Sequence, residues 1–100
     1  MLEAGIIQQL RGIFSTLAHH ITFRATLATG RPENADLRAF LEDVAAVSDH
    51  IDCTFEEAQT QQSLFSILLD GQETGIRFRG IPNGHEFTSL LLAVLNADGQ

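Results

Sequence analysis

Arg77-Phe78-Arg79-Gly80-Ile81-Pro82-Asn83-Gly84-His85-Glu86-Phe87-Thr88-Ser89-Leu90 is the stretch that decides the fold. Its first residues alternate charged and apolar, the period of a half-buried strand. Gly80 to Gly84 reads as a turn, because glycine and proline punctuate it. Phe87, Leu90, Leu91, Val94 and Leu95 then recur at i, i+3, i+4, i+7 and i+8, the face of a helix that packs on a core. The chain is predicted to close with a strand, a tight turn and an apolar helix.

Upstream, Leu64 to Leu69 is a nearly unbroken apolar run, the signature of a strand buried on both faces. Asp70-Gly71-Gln72-Glu73-Thr74-Gly75 turns it back into 76–79, so the two strands form a hairpin. Residues 57–62 are polar and read as a connection. Ile51, Cys53 and Phe55 alternate with Asp52, Thr54 and Glu56, a short strand. Leu37, Phe40, Leu41, Val44 and Val47 make the buried stripe of a helix that starts at Pro32 or Asn34 and runs to about Ser48. Ile21, Phe23, Ala25 and Leu27 alternate with Thr22, Arg24 and Thr26, another strand. Leu2, Ile6, Leu10, Ile13 and Leu17 line one face of a first helix over 2–17. The order is αβαβββα. The helix between the first two strands makes them parallel with a right-handed crossover. A four-stranded mixed sheet with helices on both faces would bury every apolar stripe, in the thioredoxin-like arrangement.

The chain has 100 residues, enough for one domain. Its formal charge is −7, and all six basic residues are arginines, at 11, 24, 31, 38, 77 and 79. A nucleic-acid-binding surface needs a basic patch that displaces counterions, and an acidic chain without lysine argues against one. The same balance argues against anionic membranes. No apolar run approaches a membrane span, and no signal peptide is visible. Cys53 is the one cysteine. A lone thiol can form neither an internal disulfide nor a Cys-x-x-Cys pair, and it suits a reducing compartment, here read as the cytoplasm.

The run from Phe78 to Leu90, with Ala25-Thr26-Leu27 and Val47-Ser48-Asp49 upstream, resembles the first, non-catalytic thioredoxin-like unit in the N-terminal domain of the alkyl hydroperoxide reductase flavoprotein subunit. Archaeal protein disulfide oxidoreductases carry a similar run. The resemblance implies units that occur in tandem, the second holding the active cysteine pair. It places the degenerate active-site loop at Thr29, Gly30, Arg31 and Pro32, with no thiol. It places Ser63 where a cis-proline normally precedes the third core strand. A non-proline cis bond costs about 2.5–4 kcal/mol, so a trans peptide is expected there. Gly80, Pro82, Gly84, His85, Glu86 and Phe87 are the structural motif that joins the last strand to the last helix.

The resemblance points to a module without catalysis. It would act by protein–protein contact in peroxide detoxification or thiol homeostasis, with no cofactor. A redox protein is one partner it could meet. A single unit could also restore the paired surface by homodimerising through the edge at 51–55 or at 76–79. Two alternatives stay open. Cys53 could serve a monothiol redox enzyme, or the sheet edge could grip extended peptides as a chaperone does. Cys53 lies on an apolar strand face among Asp52, Glu56 and Glu57, which would raise its pKa and favour a packing role. Glu86 suits the dipole at a helix start, and His85 a bond to the preceding turn. His19, His20 and His50 lack metal-ligand spacing and follow helices, so no metal site is expected. Arg77 and Arg79 share one face of an edge strand, where they could receive an acidic partner or guard the edge against aggregation.

Overall fold

A computed structural model describes residues 3–82 and 85–99, and of His85 the backbone alone. Seven elements follow one another: α1 (Ala4–Phe14), β1 (Ile21–Ala28), α2 (Asn34–Ala45), β2 (Ile51–Ala58), β3 (Leu64–Leu69), β4 (Gln72–Arg79) and α3 (His85–Ala97). The strands form one sheet in the order β2-β1-β3-β4. β1 and β2 are parallel, with Ile21 beside Ile51 and Ala28 beside Ala58. β3 runs antiparallel to both β1 and β4. The mixed sheet, the three helices and the αβαβββα order are those expected of a thioredoxin-like fold.

Several boundaries differ from the expected ones, each for a local reason. α1 stops at Phe14 rather than 17, because Ser15 Oγ donates to the Gly12 carbonyl at 2.7 Å and Thr16 Oγ1 to that of Ile13 at 3.1 Å. Such hydroxyls compete with the next turn of helix. α2 ends at Ala45 rather than near Ser48. β2 continues through Glu57 and Ala58, which pair with Leu27 and Ala28, so the polar connection is 59–63 and not 57–62. The hairpin turn is only Asp70-Gly71, with φ of 50° and 85°. Asp-Gly is the pair that tolerates two left-handed residues in succession. Gln72 to Gly75 belongs to β4, where Thr74, Gly75 and Ile76 bulge opposite Ile67. Thr74 Oγ1 bridges the bulge, donating to the Ile67 carbonyl at 2.7 Å and accepting from the Ile76 amide at 3.2 Å.

The expectation of helices on both faces needs correction. Register places Ile21, Phe23, Ala25, Leu27, Phe65 and Ile67 on one face of the sheet. All six lie in a single core cluster with Leu10, Phe14 and Leu17 from α1 and its following loop, Leu37, Phe40, Leu41 and Val44 of α2, and Leu90 and Val94 of α3. All three helices therefore cover the same face. Phe23 meets Phe65 edge-on at 5.6 Å and Phe40 meets Phe87 edge-on at 6.1 Å, the second contact joining α2 to α3. Each fully buried Phe, Leu or Ile contributes about 1.5–3 kcal/mol.

The opposite face carries Asp52, Thr54 and Glu56 of β2, Thr22, Arg24 and Thr26 of β1, Ser66 of β3, and Glu73, Arg77 and Arg79 of β4. Arg24 sits on a central strand with half its side chain in solvent, which no covering helix would allow. Ser66 and Leu68 are buried on this face but lie outside the core cluster. They account for the apolar look of β3 without a second layer.

Candidate functional site

β1 and β2 end, β3 begins, β4 ends and α2 begins at one pole of the sheet. Ser63 lies at the centre of that pole, 8% exposed. Its Oγ accepts a hydrogen bond from the Ala28 amide at 2.8 Å and donates to Asn34 Oδ1. Asn34 Nδ2 in turn donates to the Ala28 carbonyl at 2.8 Å. A closed polar knot thus ties the end of β1, the start of α2 and the residue before β3. Gly80 completes it by donating its amide to the Ser63 carbonyl at 3.1 Å. Its φ of 67° is one that a side chain would oppose.

The loop that leaves β1 is held at both ends. The Thr29 amide donates to the Ala58 carbonyl at 3.1 Å, and an Arg31 guanidinium nitrogen donates to the Gln61 carbonyl at 2.8 Å. Thr29, Gly30, Arg31 and Pro32 are exposed and present no nucleophile beyond one hydroxyl. No peptide bond among the described residues is cis. An open cleft of about 640 Å³ lies beside the knot, lined by Arg31, Glu33, Gln61, Gln62, Ser63 and Arg79. The pole can hold a polar or anionic group. It has no thiol, and its one buried hydroxyl is consumed by the knot.

The other expected site residues lie elsewhere. Cys53 is half-buried on the core face of β2, at the opposite edge of the sheet from β4. Burial pushes its thiol up, the Glu42 and Asp52 carboxylates push the same way, and Arg38 opposes them. Glu42 takes the part expected of Glu56 and Glu57. Arg38 itself lies 4.5 Å over the Phe55 ring. Arg77 and Arg79 are exposed on the open face of β4, and only Arg79 reaches the cleft. Pro82 is buried, and Glu86 is in the first turn of α3. Gly84 and the side chain of His85 lie outside the described residues.

His19 and His20 face different carboxylates: His19 Nδ1 is 2.9 Å from Asp70 Oδ2, and His20 Nε2 is 3.1 Å from Asp52 Oδ1. No group of three metal-ligating side chains forms among the described residues. Two carboxylates at this far pole escaped the sequence reading. Asp98 accepts from the Ala18 amide at 3.0 Å and the His19 amide at 2.7 Å, and Asp70 accepts from the His20 amide at 2.9 Å. Neither has a sequence signal, since their partners lie 80 to 50 residues away.

Element order, sheet order and the position of the pole define a thioredoxin-like domain. Across its whole length the chain is homologous to the N-terminal domain of the alkyl hydroperoxide reductase AhpF. It is 39% identical over 100 residues to the Staphylococcus epidermidis protein and 33% to that of Staphylococcus aureus. It spans 19% of the length of each of these relatives. The NTD-N/C domain of the Enterococcus faecalis reductase superposes with a TM-score of 0.87 at 30% identity, covering 98% of this chain and 53% of that one. The C503A mutant of Enterococcus faecalis AhpF gives a TM-score of 0.86 over 97% of this chain and 52% of the other. No protein-family model matches the chain. No helix among the described residues is long and apolar enough to cross a membrane.

Proposed function

We propose that this chain is a single thioredoxin-like unit without thiol–disulfide chemistry of its own, working through protein–protein contact in peroxide detoxification or thiol homeostasis. The observation that carries this reading is the Ala28–Ser63–Asn34 knot, which uses up the one buried hydroxyl beside the 29–32 loop, where the resemblance would put a cysteine pair. Likeness to AhpF supports the link to peroxide. The monothiol alternative rests on Cys53, and burial and acidic neighbours push its thiol up, away from the reactive thiolate. The reducing cytoplasm suits such a chain.

A different protein, rather than a second copy, is the partner the charges favour. Pairing two copies through β2 would set Asp52 and Glu56 against their own kind, and pairing through β4 about Phe78 would do the same with Arg77 and Arg79. Joining β2 of one copy to β4 of the next satisfies the charges but builds an open filament.

The chemistry is tested with a mixed disulfide between glutathione and a small peptide, its reduction by added excess glutathione, which leaves as glutathione disulfide, followed with and without the chain. The expected rate equals the uncatalysed one. Acceleration that disappears in Cys53→Ala would overturn the reading and restore the monothiol enzyme. The peroxide link is tested by complementation: cells lacking the gene should regain resistance to an organic hydroperoxide with the Cys53→Ala variant as fully as with the native chain.

A further inference from the structure

We propose that the outer edge of β4 and the cleft at its end form a docking site for an extended acidic segment of another protein. Carboxylates at alternate positions of that segment meet Arg77 and Arg79, and a further one meets Arg31. The inference rests on the protein–protein reading above and supplies its surface and the chemistry of its partner.

Charge is the first support. On a chain of net charge −7, the arginines are unevenly used. Arg24 is 3.5 Å from Glu73, and Arg38 is 3.8 Å from Glu42 while lying over Phe55. Arg77 and Arg79 form no ion pair with a described residue. Arg31 donates to a backbone carbonyl and forms no ion pair with a described residue. Arg31 and Arg79 line the same cleft and Arg77 stands two residues back along β4, while Arg11, likewise without an ion pair to a described residue, is apart on α1. Glu33 sets one carboxylate beside the cleft and leaves the cleft positive.

Geometry is the second. β4 is an outermost strand, so the backbone groups along its free side have no partner in the sheet. An extended peptide can add there by strand pairing. Its alternate side chains recur every 6.6–6.8 Å or so, the same repeat that separates Arg77 from Arg79. Acidic residues at every second position therefore meet both arginines as cross-strand pairs. Past Arg79 the edge opens into the cleft, where the segment can continue toward Arg31. A nucleic acid would find the same arginines but would be repelled by the rest of the chain. Guarding an edge against aggregation explains charge on β4. It does not explain Arg31, which stands outside β4 across the cleft.

The test is an NMR titration of the isotope-labelled chain with acetyl-Glu-Thr-Glu-Thr-Glu-Thr-amide, and with the same peptide carrying Gln for Glu. The acidic peptide should shift the amides of 77–80, 61–63 and 31–33, saturably, and less at high salt. Arg79→Gln should weaken binding roughly tenfold, the loss of one charge-assisted pair. Arg11→Gln, the same charge change on α1, should alter it less than about twofold. The spectrum of each variant reports that it is folded. Absent shifts, shifts scattered over the chain, equal binding of the Gln peptide, or equal weakening by Arg11→Gln would each overturn the docking site. Those outcomes leave the absence of disulfide exchange standing. Exchange activity would instead overturn the non-catalytic reading whatever the peptide does.

Discussion

Ser63 joins two elements through one hydroxyl, its bond to Ala28 buried and its bond to Asn34 partly so. Ser63→Ala leaves the Ala28 amide and the Asn34 carbonyl oxygen without that partner. It should cost about 1–3 kcal/mol in urea unfolding, the range for stranding a buried polar group. Asn34→Ala should cost a similar amount, and the double variant less than the sum, because the two share one network. Cys53 responds to pH in a defined direction. Its folded-state pKa is raised, so the unfolded thiol ionises first and the stability tied to its neutral form is lost as pH rises through the alkaline range. Maleimide labelling of the native chain should thus be slower than that of a short peptide at the same pH, and Glu42→Gln should speed it. Asp70 runs the other way. The His20 amide, then the His19 ring, hold it below the usual carboxylate range, so its contribution is present at neutral pH and lost in acid. Ser63 was legible only as a departure from proline. That it bonds Asn34 was not, because the two stand 29 residues apart and Asn34 reads equally well as a helix start.

At the scale of elements, α3 is fixed to the rest of the chain at both ends. Phe87 packs on Phe40 near its start, and Asp98, just past its end, takes the amides of Ala18 and His19. Asp98 is 6% exposed. Asp98→Asn replaces one acceptor oxygen with a donor that faces other donors. It should lower stability by about 2 kcal/mol and speed amide exchange at 18 and 19. The existence and type of every element could be read from periodicity. Their ends could not. β2 runs on because Glu57 and Ala58 find Leu27 and Ala28 beside them, and α1 stops early because Ser15 and Thr16 turn their hydroxyls back. The bulge in β4 is a matter of pairing two strands, and a single strand's pattern does not contain it.

For the whole molecule, the sheet has one covered face and one open face. Periodicity shows that each helix has an apolar side but not which side of the sheet receives it. The clue lay in β1: strict alternation of Ile21, Phe23 and Ala25 with Thr22, Arg24 and Thr26 marks a strand wet on one side. With Asp52 and Glu56 along β2 and Arg77 and Arg79 at the end of β4, light scattering on concentrated protein should return the mass of one chain, 11.0 kDa. A stable two-fold mass would show that some other surface joins two copies.

A sheet with all its core on one side divides its own positions into two populations. Along the middle of β1 and β2, every second side chain can be changed without touching the hydrophobic interior, and the ones between pack on it. Random substitution of this chain should yield a survival map with a period of two along those strands. Arg24, Thr54 and Glu56 would vary freely, while Phe23 and Ile51 would admit only near-isosteric replacements. The same division makes the molecule a natural carrier. The exposed side chains of that face can be rewritten for a new ligand, as on a display scaffold, while the fold beneath them stays as it is.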